Sequence, residues 1–398
     1  MAILITRHFA GCVKVCFDDI YVLDLHGNSK KKEKCPDGSK DENVFDIQQG
    51  VAISIFVKGQ NKQNAKKQPA NVYHADLYGL RDCKYEWLKE NNFTKTEWTK
   101  LKPQSEFYLF VPQNTDLEGE YKQGWKVTDI FPVNSVGIVT GQDKKTIAFT
   151  CKQAEVLADG QNLSNNTVNP ILYRPFDKRF IVYDSKVVAR PRGDLMRHML
   201  VEENLGLISS RQQSQQSEWS LCGVTNSIIE SCVVSNKTRE INYLFPLYLY
   251  PNPNNPKELE ESVRPNLSPK FLKDITSKLD YTPTPEAIFY YIYAIFHSPT
   301  YRDRYAEFLK IDFPRVPLTS SDKLFQQLSA YGEELVPLHL MKSPKLNNPI
   351  TQFVENGGGK EVAIGSANKA YANNKVTINK KGDGFTGVPE EVWNFHVG

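Results

Sequence analysis

Side-chain types that can read base edges in a DNA groove are concentrated in one stretch of the sequence, residues 187–216. Arginine can pair with guanine O6 and N7, glutamine with adenine N6 and N7, and arginine also neutralises phosphates. A second polar cluster follows at residues 235–240. Because Asp194, Glu202 and Glu203 dilute the positive charge, composition alone favours an ordinary polar surface here. The candidate DNA-contacting residues are Arg190, Arg192, Arg197, Arg211, Gln212, Gln213, Asn236, Lys237 and Arg239.

The sequence offers little support for other site chemistry. Residues 357–360 read GGGK, but the spacing of a phosphate-binding loop is missing, so a turn is predicted. No nucleophile-elbow sequence occurs. Cys12 and Cys16 form a lone pair without a second pair at ligand spacing, which argues against a zinc site. We therefore predict no catalytic residue and no metal site in this chain.

Composition sets the limits of the fold and of the cellular setting. A chain of 398 residues with 40% hydrophobic and 11% aromatic residues can form two domains with cores and is not globally disordered. A net charge of +3 means that any nucleic-acid-binding surface must be local. Seven scattered cysteines predict reduced thiols and a cytoplasmic location. The longest apolar stretch, residues 287–296, is about half a membrane span, so no membrane partner is expected.

Three strands are predicted near the start of the chain, at residues 19–25, 50–57 and 72–77, from their β-branched and apolar content. The second is a continuous apolar run, typical of a buried strand. The second and third strands are predicted to form a hairpin with a long exposed connection. The spacing of apolar residues between 82 and about 102 predicts helices on either side of Asn91 and Asn92.

The second half of the chain is predicted to be α+β. Residues 172–183 read as two strands divided by a turn, and residues 194–203 as a helix capped by Asp194. Residues 285–310 carry the strongest helical pattern, interrupted at Ser298 and Pro299, with an aromatic face that belongs in a core. Short strands are predicted at residues 205–209, 219–224, 228–234 and 242–250.

Several long strings in a fixed order resemble the methyltransferase and C-terminal specificity regions of type ISP restriction–modification enzymes. Members of that family are single-chain DNA translocases, nucleases and adenine-N6 methyltransferases. The resemblance covers most of the chain from Phe17 onward. The strings are FDDIYVLDLHGNSKKKEKCPDGSKDENVFDIQQGVAISIFVK (17–58), NPILYRPFDKRFIVYD (169–184), ARPRGDLMRHM (189–199), SNKTREINYLFPLYLYP (235–251), FYYIYAIFHSPTYRDRYAEFLKIDFPRVPL (289–318) and VPEEVWNFHVG (388–398).

The resemblance implies a mixed α/β chain in three segments. Residues 1–95 would be the C-terminal remnant of the methyltransferase domain, at the edge of a class I sheet, and residues 96–165 a connection. Residues 166–398 would be an α+β target recognition domain that ends before its relatives do. Phe45 would line the pocket for a flipped adenine, which needs an apolar or aromatic wall. The alternative, that Phe45 packs in the sheet core, is about as well supported.

The resemblance also identifies what the sequence lacks. No glycine-containing cofactor loop, no Walker A loop and no Asn/Asp-Pro-Pro-Tyr/Phe tetrapeptide occurs; Asn169 and Asn348 are each followed by a single proline. In a complete relative these motifs would precede Phe17. The expected function is therefore DNA sequence recognition. The chain alone is expected not to methylate DNA and not to bind the S-adenosylmethionine that the parent enzyme uses. The expected partners are double-stranded DNA and an upstream methyltransferase or translocase polypeptide.

Two alternatives remain open. The chain could methylate DNA when an upstream subunit complements it. It could also be a degenerate remnant, destabilised because an incomplete sheet leaves strand edges and apolar faces uncovered.

Overall fold

The structure is a computed structural model. Its residues form two compact units, 1–115 and 116–398, which are described separately below. The predicted segment boundaries at residues 95 and 165 stay predictions. The structure describes residues 16–29, 33–59, 70–101, 110, 112, 116–201, 204–213, 218–235, 240–252, 262–356 and 370–394.

The first unit contains a four-stranded sheet in the order β2-β1-β3-β4. Strand β1 lies antiparallel to β2 and parallel to β3, and β4 runs antiparallel to β3. The predicted hairpin between the second and third strands is therefore wrong, because both flank β1. Strand β1 lies between β2 and β3, and its Ile20 and Val22 side chains, which point to the same face of the sheet, are fully buried. The elements of this unit are β1 Asp19–Asp24, β2 Ala52–Val57, β3 Asn71–Asp76, α1 Arg81–Glu90 and β4 Thr99–Leu101.

Strand β2 is an edge strand among the strands that the structure describes. Its apolar run predicted a buried strand, and this prediction is wrong. Such a run fixes the strand but not its neighbours, so the pattern does not distinguish a central strand from an edge strand. Four large side chains of β2 are between 37% and 41% exposed: Ile53, Ile55, Phe56 and Val57.

Helix α1 ends before Asn91, as predicted, and Asn91 caps it by donating its backbone N–H to the carbonyl oxygen of Trp87. The helix predicted beyond Asn92 does not form. Asn92 instead accepts hydrogen bonds from Thr94 and Lys95 in a turn. Such local side-chain bonds compete with helix formation, and the chain continues as β4.

A buried ion pair anchors the loop between β1 and β2. The Lys84 Nζ of α1 lies 2.7 Å from the Asp41 carboxylate, and both side chains are fully buried. Lys84 also donates to the carbonyl oxygens of Leu25 and Glu42. Asp41 accepts from the backbone N–H of Gly27 at 2.6 Å and of Gly79 at 2.9 Å. Each charge is thus surrounded by partners, as burial of an ion pair requires.

Gly27 is required where the same loop leaves β1. Its φ is +79°, and a Cβ atom there would lie 2.4 Å from the Asn43 Cα. We expect Gly27→Ala to lower the free energy of unfolding by about 2 kcal/mol or more, because left-handed strain and a backbone clash add. Gly38→Ala is a matched control, since Gly38 has a φ of +83° but open space around it. Urea denaturation followed by tryptophan fluorescence should show the larger loss for Gly27; equal losses would contradict the clash.

The second unit is built from several small sheets around one core. A sheet in the order β11-β10-β13-β6 and another in the order β12-β8-β9-β7 enclose apolar side chains together with helix α8. Helix α11 packs closely on α8: a Cβ atom on Gly332 would lie 1.9 Å from the carbonyl oxygen of Tyr290. Three residues of the predicted aromatic face of α8, Phe289, Tyr293 and Phe296, are fully buried as predicted, and Tyr290 is half-buried.

Most elements of the second unit are short. Its helices are α2 Glu118–Tyr121, α3 Val127–Ile130, α4 Asp143–Thr146, α5 Cys151–Asp159, α6 Gly193–Met196, α7 Pro269–Leu279, α8 Pro285–His297, α9 Pro299–Arg304, α10 Ala306–Leu309, α11 Asp322–His339 and α12 Glu390–Asn394. Its strands are β5 Trp125–Lys126, β6 Ser135–Val136, β7 Ile147–Ala148, β8 Val168–Arg174, β9 Asp177–Val182, β10 Gly206–Ser210, β11 Cys222–Thr225, β12 Ile228–Ile229, β13 Asn242–Pro246, β14 Tyr248–Leu249, β15 Arg264–Pro265, β16 Arg315–Val316, β17 Gln352–Val354, β18 Ala370–Ala372, β19 Lys375–Thr377 and β20 Gly384–Thr386.

The predicted hairpin and the predicted interrupted helix are confirmed. Strands β8 and β9 pair antiparallel across the turn at Pro175 and Phe176. Helix α8 ends at His297, and α9 begins at Pro299 with Ser298 as its cap. The mixed α/β class is confirmed as well. None of the helices in the described part of the chain is both long and apolar enough to cross a membrane.

The helix predicted over residues 194–203 is shorter than expected. Helix α6 spans four residues and continues as one 3₁₀ turn, Arg197–Met199. Asp194 is not its cap. Arg192 occupies that position in the left-handed conformation, with a φ of +56°, and no side chain caps the helix. Left-handed backbone at a residue other than glycine stores strain, which is common at functional sites.

Candidate functional site

Two segments of the second unit are joined side by side through their main chains. Val139 and Arg190 exchange backbone hydrogen bonds of 3.2 and 2.9 Å, and Ala189 donates to the carbonyl oxygen of Thr140 at 3.2 Å. Gly141, with a φ of +75°, turns the first segment back beside Ala189. We call the surface formed by residues 139–145 and 189–195 the arginine face.

Two of the predicted DNA-contacting residues lie on the arginine face. Arg190 is exposed and forms no ion pair with any residue that the structure describes. The Nε atom of Arg192 is buried and has no hydrogen-bond partner among those residues. Both arginines line an open groove with Asn134 and Ser135. A buried guanidinium donor without a partner is costly, so this position fits an incoming acceptor.

The same face carries two further cations. Lys144 and Lys145 are exposed at the end of the first segment and form no ion pair within the described part of the chain. The acidic residue beside them, Asp143, is engaged by neighbours. Asp143 accepts hydrogen bonds from Thr140 and from the hydroxyl of Tyr173, the latter at 2.6 Å. Positive charge therefore dominates this part of the arginine face.

Glu230 also borders the arginine face, in a pocket with Lys144 and Lys145. Its carboxylate pairs with Arg174 at 2.7 Å and accepts from the hydroxyl of Ser231 and the backbone N–H of Cys232. Because these contacts satisfy its oxygens, Glu230 does not neutralise the exposed lysines. Asp194 is also exposed, in the groove with Arg190 and Arg192, but the four cations of the face outnumber Asp143 and Asp194, so the net charge of the face is positive.

The first unit holds a second group of titratable side chains. His26 lies just after β1, with Nε2 2.9 Å from Asp76 and Nδ1 2.9 Å from Glu33. Its ring stacks on Tyr78 with centroids 3.7 Å apart. Burial alone would lower the pKa of His26, but the hydrogen bonds to Asp76 and Glu33 and the nearby charge of Asp24 raise it to about 9. His26 is therefore a charged clamp between the ends of β1 and β3.

This clamp predicts a pH dependence of stability. Because the pKa of His26 is raised above its unfolded value of about 6.5, its stabilisation is present below that value. It is lost as pH rises through about 9. The free energy of unfolding, measured by urea denaturation between about pH 6 and 10, should fall with rising pH in the wild type. In His26→Gln the same curve should be flatter. An unchanged slope in the variant would contradict this assignment.

The described residues do not fit S-adenosylmethionine at the edge of this sheet. Nucleotide-type ligands bind beyond the carboxyl ends of parallel strands, where a carboxylate accepts from ribose hydroxyls. Here the carboxylate at the end of β3, Asp76, is engaged by His26, and Tyr78 covers the ring. Within the described ranges, no three His, Cys, Asp or Glu residues are grouped as metal ligands.

Phe45 lies in the loop between β1 and β2 and is 57% exposed. The alternative that it packs in the sheet core is therefore wrong. Its backbone N–H donates to Asn43 Oδ1 at 2.9 Å, and Arg81 donates to its carbonyl oxygen at 3.1 Å. The main chain is held while the ring faces solvent. Its role as a wall of an adenine pocket stays a prediction.

The comparison with protein families covers the second unit. A model of the Type ISP C-terminal specificity domain matches residues 139–398, about two thirds of the chain. This chain belongs to the Type ISP specificity-domain family. Its match begins at Val139, the first residue of the arginine face. No curated protein matches the chain.

The Type ISP specificity domain and the residues before it share their fold with solved structures. One is the DrdV–DNA complex, at 19% identity and a TM-score of 0.73, covering 100% of this chain and 44% of that one. Another is the ATP-dependent Type ISP restriction–modification enzyme LlaBIII bound to DNA, at 19% identity and a TM-score of 0.73. The match covers 98% of this chain and 28% of that one. A third is a nuclease-deletion mutant of the Type ISP restriction–modification enzyme LlaGI in complex with a DNA substrate mimic, at 18% identity and a TM-score of 0.71. The match covers 100% of this chain and 40% of that one. The chain spans less than half the length of each.

Among the other predicted DNA contacts, those that the structure describes lie outside residues 139–145 and 189–195, and three of them are engaged internally. Arg197 donates to the carbonyl oxygen of Tyr250, and Arg211 pairs with Asp312 at 3.1 Å. Gln213 is buried, and its side chain donates to Glu218. Gln212 is exposed. Asn236, Lys237 and Arg239 lie outside the described residues.

Sequence reasoning missed the first segment of the arginine face. Residues 139–145 read VTGQDKK, which shows no arginine and only weak periodicity. The available signal was Lys144-Lys145 directly after a Gly-marked turn. Two adjacent lysines are common on any surface, so that signal had no weight without the neighbouring Arg190.

Proposed function

We propose that this chain is the DNA-sequence-recognition part of a bacterial type ISP restriction–modification enzyme and binds double-stranded DNA with its arginine face. One observation carries the proposal: the Arg192 Nε is buried without a described partner, beside the exposed Arg190. Membership of the specificity-domain family supports it. The three solved structures of the same fold contain DNA or a DNA substrate mimic.

The four cations of the arginine face would divide two tasks. Lys144 and Lys145 are point charges on flexible stems and suit phosphates, which set the register of the protein on the duplex. Arg190 and Arg192 carry planar forks that can pair bidentately with guanine in the major groove. Arg192 is the better placed for base reading, because its Nε is buried without a partner and its backbone adopts the left-handed conformation.

Binding to a labelled random-sequence duplex, followed by gel shift or anisotropy at several salt concentrations, tests the proposal. We expect binding whose affinity falls steeply with salt, because each neutralised phosphate releases counterions. Salt-independent binding, or no binding at all, would contradict the proposal that the chain binds DNA. Competition with duplexes of defined sequence then measures the sequence preference.

We further propose that the chain transfers no methyl group alone and acts in the cytoplasm with an upstream polypeptide that holds S-adenosylmethionine. The sequence lacks the Asn/Asp-Pro-Pro-Tyr/Phe tetrapeptide, whose polar groups would bind the target amino group. The Asp76 carboxylate, engaged by His26, supports the same conclusion. Tritiated-methyl transfer by the chain alone would refute this part of the proposal.

The exposure of Phe45 favours a second candidate, a complemented adenine methyltransferase. An exposed ring on a held main chain could stack on a flipped base supplied by the rest of the active site. Mixing the chain with an upstream methyltransferase polypeptide should then restore methyl transfer, and Phe45→Ala should weaken it. Full transfer by the Phe45→Ala mixture would remove Phe45 from the site.

A further inference from the structure

An aromatic and guanidinium stack extends from the hairpin of β8 and β9. The Arg179 guanidinium lies 4.2 Å from the ring centroid of Tyr173 and 4.3 Å from that of Phe149. Arg174 contacts the Tyr173 ring at 4.1 Å. Asp177 binds Arg179 through both carboxylate oxygens, with a closest distance of 2.7 Å. Because Arg179 is fixed on both sides, it also fixes the orientation of Phe149.

Phe149 ends this stack with an open face. It precedes Thr150, the N-cap of α5, where an apolar side chain normally packs back onto the helix at the position of Ala154. Phe149 is instead 68% exposed. Arg179 covers one face of the ring, so the exposure belongs mainly to the other face. A core-packing role does not account for an aromatic ring held in this way.

The open face of Phe149 borders a groove along the start of α5. Val156, itself 64% exposed, extends the apolar wall. The charged residues that line the groove are both lysines, Lys144 and Lys152. Lys144 also lines the pocket on the arginine face that contains Glu230. The groove therefore adjoins the arginine face and combines an aromatic platform with positive charge.

We propose that this groove, defined by Lys144, Phe149, Lys152 and Val156, binds an unpaired nucleotide of single-stranded DNA. The base would stack on the open face of Phe149, and the flanking phosphates would contact Lys144 and Lys152. Aromatic platforms beside basic grooves are the usual means of holding unpaired nucleic acid, since every base has a π-face. This inference rests on the proposed function, because Lys144 links the groove to the duplex-binding face.

Charge favours single-stranded DNA over a protein partner. Both charged residues that line the groove are cations, which complements the phosphates of a nucleic-acid backbone. A duplex would not reach the ring, because its bases are stacked and paired. The groove therefore has a selectivity that the arginine face lacks.

Fluorescence anisotropy with a labelled oligothymidine of about a dozen nucleotides tests the inference on the full chain. We expect Phe149→Ala to weaken oligothymidine binding by about 10-fold, within the range that a lost stacking contact produces. Phe149→Trp should bind oligothymidine at least as tightly as the wild type. Its tryptophan fluorescence should be quenched on binding by more than that of the wild type. Tyr331→Ala is the matched control, because Tyr331 on α11 is 64% exposed and lies outside the groove.

A random-sequence duplex is titrated in parallel, so that the two proposals fail separately. Duplex affinity of Phe149→Ala should stay within about twofold of the wild type. Unchanged oligothymidine affinity in Phe149→Ala, or an equal loss in Tyr331→Ala, would overturn the inference while the duplex proposal stands. If the wild-type chain does not bind the duplex, the proposed function itself is overturned. Equal losses for duplex and oligothymidine in Phe149→Ala would also overturn selectivity for unpaired bases.

Discussion

Arg190→Ala and Arg192→Ala are each expected to weaken duplex binding by about one to two orders of magnitude. The expected size is that of one bidentate guanine contact, about 1–3 kcal/mol. If either side chain contacts a phosphate instead, affinity falls uniformly across sequences and the salt slope drops by about 1. Titration of the same variants with duplexes of varied sequence at several salt concentrations separates base reading from phosphate contact.

The variant Arg192→Lys distinguishes base reading from phosphate binding at the position whose Nε has no described partner. Lysine keeps the charge but loses the planar fork, so base reading should fail while phosphate binding persists. Lys273→Ala and Lys278→Ala are charge-matched controls, since both lysines are exposed on α7 and lie outside the arginine face. An equal loss of affinity in the controls would show that binding follows overall charge and would contradict the assigned face.

Asp41→Asn is expected to destabilise the unit of residues 1–115 by about 3–5 kcal/mol. The substitution leaves the Lys84 ammonium buried without its counter-charge, and breaking one side of a buried ion pair carries a cost of that order. It also weakens the acceptor for the backbone N–H groups of Gly27 and Gly79. The loop between β1 and β2 would lose its anchor, and opening of the sheet would become frequent.

Hydrogen–deuterium exchange of the peptides that contain β1 and β3 measures this opening in the first unit without reference to the second. Protection should fall sharply in Asp41→Asn. The double variant Asp41→Asn with Lys84→Met should recover part of it, because the buried charge is removed. Lys40→Met serves as a surface control: Lys40 pairs with Glu42 in solvent, so little change is expected. Protection equal to the wild type in Asp41→Asn would contradict the anchoring role.

Local patterns predicted elements well where the signal is carried by neighbouring residues. The β8–β9 hairpin, the start of α9 at Pro299 and the buried aromatic face of α8 follow from turn chemistry, proline and helical spacing. Strand pairing did not follow, because β2 and β3 meet the same central strand from opposite sides. That choice depends on which strand buries more surface, which periodicity does not encode.

Residue type alone identified the candidate arginines but not which of them have an internal partner. Arg190 and Arg197 are only seven positions apart in one arginine-rich stretch, yet Arg190 is exposed while Arg197 binds the carbonyl oxygen of Tyr250. Arg211 is likewise engaged by Asp312, about a hundred residues away in sequence. Which arginine is available to DNA is decided by long-range contacts. For the same reason, Lys144 and Lys145 gained meaning only when the fold joined their segment to that of Arg190 through the backbone hydrogen bonds at Val139 and Thr140.

The two segments of the arginine face are held together by hydrogen bonds between Val139, Thr140, Ala189 and Arg190 that use backbone atoms alone. The exposed side chain of Arg190 can therefore be exchanged without breaking these hydrogen bonds, whereas Thr140 is buried and its hydroxyl also donates to Asp143. If the arginine face reads DNA as proposed, retargeting to a different DNA sequence, by natural drift or by design, needs only new side chains at its exposed positions. Such a frame permits recognition to diverge faster than the fold that supports it.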